Sequence, residues 1–174
     1  MNSASATDLS LLVLRVGLGA VFLAHGYNHI FGGGKIAGTG RWFESLGMRP
    51  GILHAWFASL TELGAGALLI LGLATPLGCA GVIGTMLVAW ITNHLRNGFF
   101  IFRPGEGYEY VMTLTVMALG LSGLGAGEWS IDNGLNWFQP GGWWGLAIAA
   151  IAGGAGALGL LVMFWRPDKQ PQAS

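Results

Sequence analysis

The stretch LHAWFASLTELGAGALLILGLATPLGCAGVIGTMLVAWITNHL, residues 53–95, decides the fold. It contains two apolar runs, Leu53 to Ala74 and Leu77 to Leu95. Each run is close to the length of about 20 residues that a membrane-spanning helix needs. Between them stands Thr75-Pro76, and proline cannot continue a helix and restricts the residue before it. The stretch therefore predicts two spanning helices joined by a tight hairpin.

The composition of the whole chain agrees with a membrane protein. Of its 174 residues, 53% are hydrophobic and only 9% are charged, whereas a soluble domain carries about 25% charged residues. Three further apolar runs flank the hairpin: Leu9 to Phe31, Gly107 to Leu124 and Trp143 to Trp165. The first run is too long, and lacks the basic start, for a cleaved signal peptide. The single cysteine, Cys79, excludes an internal disulfide and any multi-cysteine metal site.

The distribution of lysine and arginine predicts the topology. If the chain crosses the membrane five times, residues 32–52, 96–106 and 166–174 share one side. That side carries seven basic residues, and the other side carries none: Lys35, Arg41, Arg49, Arg96, Arg103, Arg166 and Lys169. Because basic loops stay in the cytoplasm, we predict an outside N-terminus and a cytoplasmic C-terminus. The chain would be a multi-pass protein of the bacterial cytoplasmic (inner) membrane.

Small residues favour close packing of these helices into one bundle. The chain has 31 glycines, and in lipid small residues let helices approach each other closely. They share one face of the second and of the fifth predicted helix, at Ala58, Ala65, Gly66, Ala149, Gly153 and Ala157. We therefore predict an all-α integral membrane bundle. Its organisation would be a tail at residues 1–8, a core at 9–142, an additional transmembrane helix at 143–165 and a cytoplasmic tail at 166–174.

Ionisable residues inside the spans point to a functional site. Such residues are expensive in hydrocarbon, so they face the bundle interior by default. Glu62 lies near the middle of the second run, while His25 and His29, four residues apart, share a face near the end of the first. His94 ends the third run and Glu109 begins the fourth on the same side. The sequence therefore predicts a polar pocket at the cytoplasmic ends of helices one, three and four.

A quinone head group fits such a pocket, because its carbonyls need hydrogen-bond donors and its redox chemistry needs protons. The predicted proton-transferring groups are Glu62 and Glu109. The predicted ligand-binding residues are His25, His94, Asn97 and Tyr110, supported by Arg15, Asn28, His29 and Asn93. The sequence does not separate a quinone from another small amphipathic ligand, and it leaves open whether the chain is itself catalytic.

Several of these residues also have a purely structural interpretation. Glu62 could pair with Arg15, or remain protonated and bonded to a neighbouring helix, and His29 could simply reach the interface. Three histidines and a glutamate could also ligate a metal. Only His25 and His29 have an evident geometric relation, so we predict no metal site.

Four stretches carry a resemblance to a known family: LRVGLGAVFLAHGYNHIFGG, ELGAGALLILGLATPLG, MLVAWITNHLRNGFFIF and GYEYVMTLTVMALGLSGLGAGEWSID. In order, they contain His-Gly at His25, then Glu62, then H-x-x-N-G-F-F from His94, G-x-E-Y ending at Tyr110, and G-x-G-x-x-S-I-D ending at Asp132. This ordered set resembles the DoxX family of small bacterial and archaeal membrane proteins over about residues 11–132. Where many relatives have lysine this chain has a histidine at position 29, and the fifth span is an addition to the usual four-helix core.

The resemblance implies a four-helix membrane bundle tied to redox chemistry. The family is named after a subunit associated with an archaeal terminal quinol oxidase, and related chains form part of a thiosulfate:quinone oxidoreductase. A mycobacterial member is placed in a membrane complex with a thiosulfate sulfurtransferase and a superoxide dismutase. The resemblance therefore favours a redox-associated subunit of a quinone-linked oxidoreductase complex.

Two other functions remain compatible with the sequence. A non-catalytic anchor or assembly subunit would hold a soluble oxidoreductase at the basic loops, through Arg41, Arg49 and Arg103. A small proton-coupled transporter would use Arg15 and Glu62 as a relay. The predicted partners are the lipid bilayer, an oxidoreductase and further copies of the chain as a homo-oligomer, and no nucleic acid is expected.

Overall fold

The computed structural model describes residues 3–137 and 139–167. Across these residues there are seven α-helices: α1 (Ser3–Phe31), α2 (Lys35–Ser45), α3 (Gly51–Leu71), α4 (Thr75–Ala89), α5 (Glu109–Leu124), α6 (Ile131–Leu135) and α7 (Gly142–Phe164). A π-helical turn, Trp90–His94, and a short 3₁₀ turn, Leu95–Asn97, extend α4. The predicted all-α fold class is confirmed. The described part of the predicted N-terminal tail belongs to α1.

Among the described residues, four helical segments are long and apolar enough to cross a membrane: Ser5–Phe31, Gly51–Leu71, Thr75–Asn97 and Gly142–Phe164. The fifth apolar helix, α5, has only 16 residues. At about 1.5 Å per residue it measures about 24 Å, a little less than the hydrocarbon core of about 30 Å. The prediction of a helical membrane bundle is confirmed, with α5 as its shortest apolar member.

The helices form a four-helix core with α7 packed on its outside. Helix α1 packs along α3, α3 and α5 both flank α4, and α7 packs against α4 and α5. Close approach depends on glycine: a Cβ at Gly19 would lie 2.7 Å from the Gly66 carbonyl oxygen, and one at Gly153 would lie 2.8 Å from the Ala80 carbonyl oxygen. The small-residue faces predicted from the sequence are thus contact faces.

The connections gather at two ends of the bundle. At one end, the Asp8 carboxylate accepts a hydrogen bond from the Glu128 N–H, 2.8 Å, which ties α1 to the connection after α5. At the other end, Arg166 N–H donates to the Gly47 carbonyl, 2.7 Å, which ties the end of α7 to the connection before α3. The second end carries Lys35, Arg41, Arg49, Arg96, Arg103 and Arg166. We call it the basic end and the first the Asp132 end; Lys169 lies outside the described residues.

Helix α2 lies at the basic end in a region that the sequence predicts only as a connection. Its sequence, KIAGTGRWFES, has no long apolar run. Phe43 and Gly40 are its buried residues, and a Cβ at Gly40 would lie 3.1 Å from the Ile52 Cα. Packing against α3 therefore stabilises this helix, because tertiary packing outweighs its weak local helix propensity.

Candidate functional site

A cavity of about 480 Å³ lies at the basic end, with walls from α1 to α5 and from α7. Its volume falls in the range of small-molecule sites. Six of the ten residues selected from the sequence line it: His25, His29, Glu62, Asn93, His94 and Tyr110. Most other wall residues are apolar, so the polar groups form a limited cluster.

The centre of this cluster is a contact between Glu62 on α3 and His29 on α1. Glu62 is only 3% exposed, and its Oε2 atom lies 3.1 Å from His29 Nδ1. Among the described residues neither atom has a hydrogen bond of good geometry. A carboxylate buried in this way is unfavourable unless a proton or a positive charge compensates it. The His29 ring therefore places a nitrogen that can carry a proton beside the buried Glu62 carboxylate.

Tyr110 and His25 extend the cluster across the cavity. Tyr110 lies in the first turn of α5, within electrostatic range of the Glu62 carboxylate. Its ring stacks on the His25 ring, with centroids 6.3 Å apart and planes inclined by 27°. His25 Nδ1 lies 2.9 Å from the Val21 carbonyl oxygen. Since a carbonyl only accepts, Nδ1 carries the proton and Nε2 is the second polar atom of the ring.

His94 and its neighbours form a bonded wall of the cavity. His94 Nδ1 donates to the Glu106 carbonyl at 2.9 Å, and in the neutral ring Nε2 then accepts from the Asn93 amide at 3.3 Å. The Asn97 amide donates to the carbonyls of Gly105, 2.6 Å, and Glu106, 3.1 Å. His94 Nδ1 and the Asn97 amide thus hold the connection between α4 and α5 in place, while His94 Nε2 bonds its neighbour in the π-turn.

The local backbone of α4 contributes to this wall. Asn93 and His94 belong to the π-helical turn that replaces the last α-helical turn. A π-turn carries one extra residue per turn and often occurs at functional sites. Here it lets two successive polar residues line the same cavity.

A family comparison bears on this site. Residues 10–95 match the family model DoxX. The chain belongs to the DoxX family. The match runs from α1 through the π-turn, so it includes five of the six predicted residues that line the cavity, whereas the sixth, Tyr110, and all of α7 lie beyond it. Comparisons with curated proteins and with solved structures give no significant match.

Three predicted site residues near the DoxX cavity do not line it. Glu109 directs its Oε2 atom to the Ile101 N–H, 3.1 Å away. Asn97 bonds backbone groups, and Asn28 is exposed on α1. Successive helix positions point about 100° apart, so Tyr110 can face the cavity while Glu109 beside it does not.

Arg15 lies at the opposite, Asp132 end of the bundle and is fully buried. Its guanidinium donates to the carbonyl of Leu69, 3.1 Å, in the last turn of α3 and to that of Trp129 in the connection after α5. The structure therefore does not pair Arg15 with Glu62, which contacts His29 instead. It also gives no support to a relay made of Arg15 and Glu62.

Asp132 lies beside Arg15 and completes this arrangement. It is 1% exposed, and its carboxylate accepts from the N–H groups of Ala74, 2.9 Å, and Thr75, 3.3 Å, at the start of α4. A negative charge is favourable at a helix N-terminus. Asp132 and Arg15 together join α1, the α3–α4 turn and the connection after α5; we call this arrangement the Arg15–Asp132 clasp.

His54 is a cavity residue that the sequence reasoning missed. It is 2% exposed and lines the cavity on α3, and its ring packs 5.0 Å from the Phe164 ring of α7. Neither ring nitrogen makes a hydrogen bond of good geometry to a described residue, although the backbone of Arg49 lies nearby. The criterion that selected Glu62, an ionisable side chain inside a predicted span, also applies to His54. Because His54 stands near the start of that span, the sequence does not distinguish it from a residue at the membrane interface.

The described residues contain no group of three or more His, Cys, Asp or Glu side chains arranged to hold a metal ion. The polar groups of the cavity are the Glu62–His29 contact, the Tyr110 phenol and the His25 imidazole. These groups can donate hydrogen bonds to an oxygen-bearing ligand and exchange protons with it.

Proposed function

We propose that the cavity of this DoxX protein binds the head group of a quinone or quinol, and that the chain is a redox-associated membrane subunit. The observation that carries the proposal is the buried Glu62–His29 contact at 3.1 Å on the wall of a largely apolar cavity that Tyr110 also lines. Buried polar groups that lack good partners are unfavourable in a folded protein. A ligand oxygen would provide a hydrogen-bond partner for the Glu62 and His29 side chains.

Some of these residues would bind the head group, and others would exchange protons with it. The Tyr110 hydroxyl would donate to a carbonyl oxygen of the quinone. His25 Nε2 would accept from a hydroxyl of the quinol, because His25 Nδ1 already donates to the Val21 carbonyl. The Glu62–His29 pair would exchange a proton with the head group. A bound quinone would supply two-electron redox chemistry, which takes up two protons on reduction. Asn93 and His94, which are bonded to each other, would keep that wall rigid.

The same proposal places the basic end in the cytoplasm. The basic residues at this end favour a cytoplasmic location. A head group in the cavity would then lie near the cytoplasmic interface of the inner membrane. Electrons would come from a partner oxidoreductase bound at that face.

Binding of menadione, a naphthoquinone without a tail, tests this proposal. Trp42 lines the cavity, so quenching of tryptophan fluorescence can follow a titration of the purified protein in detergent. We expect saturable binding to the wild type and a Kd about tenfold higher for Tyr110→Phe, because one hydrogen bond to a buried ligand is lost. Tyr27→Phe is the matched control, since Tyr27 is 61% exposed and not on the cavity wall. Absence of saturable binding to the wild type, or equal Kd values for the two tyrosine variants, would contradict the proposal.

A non-catalytic anchor is the second candidate function. The observation that favours it is the exposure of Arg41, Arg49 and Arg103 at the basic end. If a soluble oxidoreductase binds there, replacing these three residues by glutamine should release the co-purifying protein, and Glu62→Gln should not. The opposite result would link partner binding to the cavity instead.

A further inference from the structure

The cavity extends beyond the polar cluster, into the space between α3 and α7. Its wall includes one face of α7, at Ala152, Gly153, Gly156, Ala157 and Leu160. Small residues of α4, among them Ala80, Gly81 and Gly84, form its floor. We call this part of the cavity the α3/α7 groove.

The α3/α7 groove opens to the surface of the bundle. Within the described residues, α3 and α7 both pack on α4 but make little contact with each other. They approach at the basic end, where the rings of His54 and Phe164 are 5.0 Å apart. Phe57, Thr61 and Gly156 line the cavity and are also exposed. In a membrane, this opening faces lipid.

The groove has the shape and polarity of a site for an amphipathic chain. From Ala80 to Asn93 the wall along α4 extends about 20 Å, at about 1.5 Å per residue. Beside this apolar path stand Glu62 and His54, 3% and 2% exposed. Both have ring or carboxylate atoms without a hydrogen bond of good geometry to a described residue. Polar side chains of this kind favour a ligand with a polar part, and the apolar groove favours a ligand with an apolar part.

We infer that the ligand is a quinone with an isoprenoid tail, and that α7 is the element that binds the tail. The head group would lie at Glu62 and Tyr110, and the tail would follow α7 and leave between α3 and α7. This inference rests on the proposed function. It gives α7, which lies beyond the part of the chain matched by the DoxX model, a direct role in ligand selection.

The Gly156→Leu variant tests the role of α7. A Cβ at Gly156 would have no atom within 4 Å, so a leucine there can enter the groove without disturbing the packing. Gly154→Leu is the matched control, because Gly154 has equally open space but does not line the cavity. Both proteins are reconstituted in nanodiscs containing menaquinone and re-extracted, and the menaquinone retained per protein is measured by mass spectrometry.

We expect Gly156→Leu to retain about tenfold less menaquinone than the wild type, equivalent to about 1.4 kcal/mol. Its Kd for tailless menadione should stay within about twofold of the wild type. Gly154→Leu should leave both values unchanged, and Glu62→Gln should weaken both. Size-exclusion profiles confirm that each variant is folded.

The remaining outcomes separate this inference from the proposed function. If the wild type binds neither menadione nor menaquinone, the proposed function fails and the inference with it. If both bind and Gly156→Leu leaves menaquinone unchanged, or weakens both ligands equally, only the inference is overturned. Loss of a phospholipid instead of menaquinone from Gly156→Leu would show that the groove holds an acyl chain, and would also overturn it.

Discussion

The two ends of the bundle bury the same kinds of side chain but differ in how they bond them. At the Asp132 end, Arg15 and Asp132 are 0% and 1% exposed. Their side chains bond backbone groups of α3, α4 and the connection after α5. Of the polar side-chain atoms of these two residues, only Arg15 Nε lacks such a partner among the described residues. At the basic end, Glu62 and His54 are nearly as buried, yet both have side-chain atoms without a hydrogen bond of good geometry to a described residue.

This difference shows that burial alone does not identify a functional ionisable residue in a membrane protein. The Arg15–Asp132 clasp joins three segments of the chain, so its polar groups stabilise the fold. The Glu62–His29 pair joins only two helices and faces a cavity. We therefore expect changes in the clasp to act on stability and changes at the cavity to act on binding.

The largest expected effect is that of Arg15→Met on stability. The substitution removes the donors to Leu69 and Trp129 and leaves Asp132 without its neighbouring positive charge. A hydrogen bond to a charged group contributes about 1.5–3 kcal/mol, so the loss of both should lower the free energy of unfolding in detergent by about 3–5 kcal/mol. Arg96→Met, at an exposed site, is the control and should stay within about 0.5 kcal/mol. Equal stabilities for the two variants would show that the clasp is not structural.

Gly72→Ala should give the second largest loss. Gly72 has φ +62°, and a Cβ there would collide with the Arg15 guanidinium. The left-handed backbone alone costs a non-glycine residue about 1–2 kcal/mol, and displacing Arg15 adds to this. Gly64→Ala, where a Cβ on α3 meets no atom within 4 Å, should change thermal stability little. A Gly72→Ala protein as stable as Gly64→Ala would contradict the close packing around Arg15.

Asp132→Asn should destabilise less, because it keeps the shape and one acceptor. The amide can still accept from the Ala74 N–H, but its NH₂ group opposes the Thr75 N–H. An unsatisfied buried donor costs about 1–3 kcal/mol. The unfolding free energy is compared with that of Glu128→Gln, an exposed control in the same connection. A loss in the control as large as in Asp132→Asn would argue against a cap at the start of α4.

The smallest stability change is expected at the cavity, with the opposite sign. Replacing buried polar or charged pairs by apolar residues is often neutral or stabilising, by about 1–4 kcal/mol for ion pairs. The double variant His29→Leu with Glu62→Leu should therefore unfold with a free energy equal to the wild type or up to about 2 kcal/mol higher. The corresponding double variant Arg15→Met with Asp132→Leu should be several kcal/mol less stable. If both double variants lose similar stability, the contrast between the two ends is wrong.

Much of the fold follows from local properties of the sequence. Hydropathy and Thr75-Pro76 predict the long helices and the hairpin, and the positions of lysine and arginine separate the two ends. Helix α2 and the π-turn do not follow, because α2 depends on Phe43 and Gly40 packing against α3. A π-turn differs from an α-turn by one residue and leaves no hydropathy signal.

The site could be predicted only in part, because the walls of the cavity come from six helices. His25, His29 and His94 lie at helix ends on the same side of the membrane, and this brings them to the cavity. Depth in the membrane, however, does not determine which way a side chain points. Glu109 and Tyr110 are adjacent, and only Tyr110 lines the wall. The role of Arg15 depends on carbonyls 54 and 114 residues away along the chain, which no local pattern reveals.

Native mass spectrometry with lipid extraction tests the central claim most directly, on gently purified wild type beside Glu62→Gln. We predict a quinone bound to the wild type and absent from Glu62→Gln, while the Arg96→Met control keeps it. Equal amounts of quinone in the wild type and Glu62→Gln, or none in either, would contradict a ligand site at the Glu62–His29 pair.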